Sequence, residues 1–269
     1  IRVVEEIAKP VSVSPERRLF GFQFPVVSCG ATYAPKRIWG TSRVEEDGSA
    51  SFRVPANVPI YFMALDAEGL ALQRMRSFTH LKPGEVQGCT GCHEQRQQTP
   101  VTHARPKATL REPEALQPPE WGVKGFSYAE IVQPVLDRHC VECHNARQHP
   151  NGVDLCADQT DLFNVSYEIL ARLGTPAEDP HVGGANMANF HNPYTSWIPT
   201  YNGTEENILR IRPLTWGSPA SKLAELVRTG HPDAKGKARV QLTTPERQRI
   251  YAWIDCNVPY YPTSASHDI

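Results

Sequence analysis

The chain has 269 residues, with 28 Lys and Arg set against 29 Asp and Glu, a balance that leaves no footprint for nucleic acid or an anionic membrane surface. Hydrophobic residues make up 40%, with 5 Trp, 9 Tyr and 9 Phe, enough to fill the cores of the two domains that this length suggests. No apolar stretch approaches the roughly 18–20 residues that cross a bilayer, so no membrane span is expected.

Residues 1–98 read as a β-rich unit. Arg37 to Val44 is a strand candidate, and Glu46-Asp47-Gly48-Ser49 is a turn in which Asp-Gly supplies the backbone of a tight hairpin. Ala50 to Val54 alternates apolar and polar, Ile60 to Leu65 is a nearly continuous apolar run, and Leu70 to Ser77 forms a further strand after the Asp66–Gly69 turn. Short strands at regular turn spacing predict a small β-sandwich. Its last strand passes through Lys82-Pro83-Gly84-Glu85 into Cys89-Thr90-Gly91-Cys92-His93.

Residues 99–122 contain Pro100, Pro106, Pro113, Pro118 and Pro119 and read as a linker laid over the surface. From 123 to 269 the periodicity is helical. Ser127 and Glu130 form a capping box, with Phe126 and Ile131 as its staple, and the helix runs into Cys140-Val141-Glu142-Cys143-His144. Ser166 to Leu173 is a short helix stopped by Gly174; Ser218-Pro219 opens another that ends at Gly230; Thr244-Pro245-Glu246 opens the last, with Ile250, Trp253 and Ile254 on one face.

The two Cys-x-x-Cys-His pentapeptides carry the chemistry. Two thiols at this spacing can add across the two vinyl groups of a porphyrin, and the following His then stands under the iron. A zinc ribbon needs its cysteine pairs about 15–20 residues apart, whereas 47 residues lie between Cys92 and Cys140. With His at 10 of 269 positions, a His after both pairs by chance has odds of roughly one in 700. Two covalently bound haem c groups are expected, held by Cys89 and Cys92 and by Cys140 and Cys143, with His93 and His144 as proximal ligands. The fold class is therefore α+β and multidomain: a small N-terminal β-sandwich carrying haem 1, then a mainly α, cytochrome c-like domain carrying haem 2.

Haem attachment of this kind takes place outside the cytoplasmic membrane, so an exported, periplasmic or similar location is expected. No signal peptide stands at Ile1, and the chain opens inside an apparent strand, as a processed product or a fragment would. Such a compartment permits disulfides, and Cys156 with Cys256 is the expected pair, leaving Cys29 as a small buried hydrophobe.

Gly48–Ala56 (GSASFRVPA), Met75–His93 (MRSFTHLKPGEVQGCTGCH) and Trp253–Tyr261 (WIDCNVPYY) resemble the middle and C-terminal domains of the hydrazine synthase alpha subunit and the planctomycete dihaem family related to it. The resemblance implies a β-rich domain with an active-site haem and a helical domain with a haem bound by two histidines. It also implies a Tyr four residues after the first motif's His, where this chain has Gln97, and a zinc ion at that His. For the second haem the best positional match to a distal ligand is His231; Met187, His181 and His191 remain alternatives. For the first, His80, Met75, His103 or an open site are the options. His139 faces away from the neighbouring iron and reads as exposed or touching a propionate. Arg74, Arg76 and Arg96 read as surface charges able to pair with propionates.

The leading functional expectation is an electron relay between the two haems and a redox partner protein, without a catalytic residue of its own, standing alone or with further domains or subunits of a larger complex. The alternative is a haem enzyme related to hydrazine synthase, with an open, high-spin first haem acting on a small nitrogen compound or peroxide. A third reading is a binding module, such as a gas sensor.

Overall fold

The computed structural model describes residues 1–8, 27–28, 32, 34–75, 77–90, 105–172 and 213–264. Four strands form one antiparallel sheet: β1 (Arg2–Glu6), β2 (Lys36–Thr41), β3 (Ile60–Leu65) and β4 (Ala71–Arg74), in the order β2-β1-β3-β4. Val4 of the second strand in this order faces Ile38 on one side and Tyr61 on the other, and Arg2 faces Met63. Because side chains alternate along a strand, Val4, Ile38, Tyr61 and Met63 share one face. That face joins the same buried cluster as the helical residues.

Among the described residues, then, the strands make one sheet backed by helices, where a sandwich was expected. Ala50–Val54 is not a strand of that sheet. Phe52 makes a single bridge with Glu114, with Arg53 N donating to Glu114 O at 2.8 Å and Glu114 N to Ser51 O at 3.0 Å. Alternation there marks a half-buried segment whose backbone is satisfied by the Pro-rich stretch. That stretch is bonded to the sheet edge as well: Thr41 and Gln117 exchange hydrogen bonds at 2.9 and 2.8 Å. Gly40, at φ 147°, has no side chain to block this approach; a Cβ there would overlap the Gln117 carbonyl.

The helices are α1 (Tyr128–Ile131), α2 (Gln133–His139), α3 (Val165–Tyr167), α4 (Gly217–Ala220), α5 (Lys222–Thr229) and α6 (Thr244–Asp255). Ser127 accepts from Glu130 N as expected, but the Glu130 carboxylate pairs with Lys124, so only half of that capping box forms. The predicted helix 166–173 is one α turn followed by a π turn, Glu168–Arg172. The one opened by Ser218-Pro219 is two helices, divided where Ser221 turns extended and caps α5 with its side chain. In α6 the full capping box forms between Thr243 and Glu246.

The core centres on Tyr128, Phe163, Tyr167, Trp253 and Tyr260, with ring centroids 5.1 Å apart for Tyr128 and Tyr167 and 5.0 Å for Tyr128 and Trp253. Each such pair adds about 0.5–1.5 kcal/mol beyond its burial. Trp253 Nε1 and Tyr167 OH donate to the carbonyls of Pro259 and Val258 at 3.0 and 2.6 Å. The sheet is tied in by a buried ion pair: Arg2 Nη1 donates to Asp255 Oδ2 at 3.0 Å, and Asp255 Oδ1 accepts from Ser218 N at 2.8 Å.

Candidate haem sites

The second motif is built by the end of α2. Pro134 sits in the first turn of this helix, where a missing N–H costs nothing. Val135 and Leu136 bury into the core, which fixes the rotation of the helix and brings Cys140 to its C-terminal end. The chain then turns tightly, with Cys143 N and His144 N both donating to Cys140 O at 3.1 and 2.9 Å. Asn145 clamps this turn: its Nδ2 donates to the carbonyls of Val141 and Glu142 at 2.9 and 3.2 Å, and its Oδ1 accepts from the amides of Arg147 and Gln148. Burial pushes the Cys140 thiol up to about 11, while Cys143 is exposed.

The His144 Nδ1 lies 2.9 Å from Val153 O. A carbonyl accepts only, so Nδ1 carries the proton and Nε2 is left with a lone pair for a metal. Opposite stands His231. The ring centroids are 6.2 Å apart at an interplanar angle of 80°. Two imidazoles whose nitrogens each stand about 2 Å from one metal have centroids roughly 6 Å apart, so this pair fits an iron held from both sides. His231 follows the αL residue Gly230 and is itself left-handed, at φ 50°, a backbone that a non-glycine residue adopts only when its surroundings enforce it.

His139 does not join this pair. Its Nε2 lies 3.1 Å from Glu246 Oε1, and Arg138 reaches the same oxygen, so the exposed or propionate-touching side chain expected here is partly buried against α6. Burial raises the Glu246 carboxyl, but hydrogen bonds from Thr243, His139 and Arg138 outweigh it and bring it down to about 2.

At the first motif, Cys89 stands on an exposed stretch, residues 82–90. Lys82–Glu85 forms a turn, with Glu85 N donating to Lys82 O at 3.1 Å and Lys82 N to Glu85 Oε2 at 2.8 Å. Thr79 bridges Ile60 in the sheet, and its Oγ1 donates to Gln87 Oε1 at 3.2 Å; His80 and Cys89 are both exposed. Met75 packs against the core. Arg74 is no solvated charge: its guanidinium stacks over Tyr61 at 5.1 Å and Trp216 at 5.6 Å. Cys29, Arg76, Cys92, His93, Arg96, Gln97, His103, His181, Met187 and His191 lie outside the described residues.

The expected Cys156–Cys256 disulfide does not form; both are free thiols. Cys256 caps α6 inside the core, where burial pushes it up to about 11. Cys156 stands on a partly exposed stretch, its backbone bonded to Asp154 and Ser166. Among the described residues no group of three or more His, Cys, Asp and Glu converges as a bare metal site would need, and no helix is long and apolar enough to cross a membrane.

Residues 2–94, which include the whole first motif, match the family described as the hydrazine synthase alpha subunit middle domain. The chain is 21% identical over 326 aligned positions to hydrazine synthase subunit alpha of Kuenenia stuttgartiensis, covering 96% of this chain and 38% of the relative. The solved Kuenenia stuttgartiensis hydrazine synthase shares the fold, with a TM-score of 0.62 at 19% identity over 96% of this chain and 38% of that one. The chain thus spans well under half the length of the proteins it matches, and it is related to domains of that alpha subunit. These matches correct the electron-relay reading, since what the chain resembles along nearly its whole length is a subunit of a synthase.

Proposed function

We propose that this chain is the dihaem part of an exported haem enzyme related to the hydrazine synthase alpha subunit, with its substrate site at the first haem. The observation that carries this reading is the similarity to that subunit, which spans both Cys-x-x-Cys-His motifs and 96% of the chain. The contrast between the two sites supports it. The second motif is set against the core with a His on each side, which leaves an iron there no place for a third partner. Cys89, which opens the first, stands on an exposed stretch of chain.

In this reading Cys89 and Cys92 hold the first haem and His93 lies on its proximal side, with exposed His80, nine residues before Cys89, as the candidate for the other side. Cys140 and Cys143 hold the second, between His144 and His231. A haem with an open side binds and activates small molecules, whereas one with two strong protein ligands exchanges electrons only. The work of the protein residues is then to expose one face of the first haem to a small nitrogen compound or peroxide and to deny that access at the second. Redox partners and further subunits of a larger complex belong to the same proposal, as does the location outside the cytoplasmic membrane.

The test is an optical titration of the haem-loaded protein, reduced and then exposed to carbon monoxide, with turnover of hydroxylamine and hydrogen peroxide as probes. About half of the haem should shift with carbon monoxide, and His231→Ala should raise that share. If no haem shifts and neither probe is consumed, the enzyme reading fails.

A further inference from the structure

The two rings of the second site differ in what faces their outer nitrogens. His144 Nδ1 meets the Val153 carbonyl, an acceptor, at 2.9 Å. His231 Nδ1 meets Arg239 Nη1 at 3.3 Å, a donor that is permanently charged and has no acceptor atom. This placement is built into the backbone. Gly230 O accepts from Arg239 N at 2.9 Å and from Val240 N at 3.1 Å. Between them the chain is turned by Asp233, whose Oδ1 accepts from Lys235 N and Lys237 N at 2.8 and 3.0 Å. The approach needs a glycine at 230, because a Cβ there would stand 2.6 Å from Val240 O and 2.8 Å from the Ala238 Cβ. Arg239 is thus returned to His231 by the loop.

We propose that Arg239 is a positioning residue which, through His231, weakens one axial ligand of the second haem and raises that haem's reduction potential. This rests on the reading of His144 and His231 as the ligand pair. The physical argument has two parts. A metal-bound His normally gives its outer N–H to an acceptor, which raises ligand basicity; His144 has that arrangement, whereas the Nδ1–H that His231 would carry with Nε2 on iron faces a cation instead of an acceptor. A fixed cation beside the ligand also favours the metal state with one less positive charge. Because Arg239 is exposed, solvent moderates the effect.

The experiment is a potentiometric titration of the haem-loaded protein beside Arg239→Gln and Arg239→Lys, with NMR of the shifted His ring protons in the oxidised state. Arg239→Gln should lower one of the two reduction equilibria about tenfold, equivalent to 59 mV for one electron, and Arg239→Lys should retain most of the wild-type value. The His231 ring signals should move and those of His144 should not. Unchanged potentials in Arg239→Gln would overturn the inference, and so would a potential shift with the His231 signals unmoved, which would place the arginine's action on a propionate. His231→Ala separates the two levels: if it leaves the second haem low-spin, the ligand pair itself is wrong.

Discussion

Arg2 is a charged side chain only 4% exposed, on a strand that faces the core, and it bonds Asp255, the Gly69 carbonyl and the Met63 sulfur. Two opposite charges taken out of water together cost little on balance, but removing one strands the other. Arg2→Met should therefore cost about 3–5 kcal/mol, a large share of the roughly 5–15 kcal/mol of a typical domain. Adding Asp255→Asn should return much of it, since Ser218 N keeps its acceptor. Urea unfolding of the single and double variants checks this; a loss below about 1 kcal/mol in Arg2→Met would show the pair to be energetically idle.

At the scale of elements, Glu246 joins α6 to α2 through Arg138 and His139, directly before the second cysteine pair. Its carboxyl lies below the ordinary carboxylate value in the folded chain, at about 2. The stabilisation is therefore present in full above the unfolded-state value and is lost as pH falls through that of the folded state. Glu246→Gln should cost about 1–3 kcal/mol at neutral pH, and the difference from wild type should shrink on acidification toward pH 2; a difference constant with pH would rule out the charge as its source. Helix ends of this kind were legible in the sequence because capping chemistry is local: Thr244-Pro245-Glu246 and the terminator Gly230 stand where a helix start and stop need them, and the cap itself is the residue before, Thr243. The sheet was less legible. Alternation in Ala50–Val54 reports that one side is buried but not which backbone is opposite, and here the opposite backbone is that of Glu114. The Cys-x-x-Cys-His pairs were readable from spacing alone, whereas the Glu246 partner of His139 lies 107 positions away and leaves no periodic trace. Asn145, the clamp of the second motif, had a local signal that was passed over: an Asn directly after a turn.

For the whole molecule, the expected division at residues 99–122 meets a core that does not respect it. Val4, Ile38, Tyr61, Met63 and Ala71 from the sheet belong to the same buried cluster as Tyr128, Leu136, Trp253 and Ile254, and Gln117 and Phe126 are hydrogen-bonded to the edge strand β2. Scanning calorimetry should accordingly show one cooperative transition for the sheet and the helices together. Two separated transitions, or independent folding of 1–98 and 123–269 as fragments, would contradict this.

The Arg2–Asp255 pair joins positions 253 apart in the chain, and contacts of such long range form slowly because the loop they close must be ordered first. A ribosome makes about 5–20 residues per second, so the strand that β2 and β3 flank waits many seconds for the helix that seals it. Both cysteine pairs emerge during that wait, in a chain that is not yet closed. The topology thus keeps the sheet and the early helices from closing on one another until the last helix, α6, has been made.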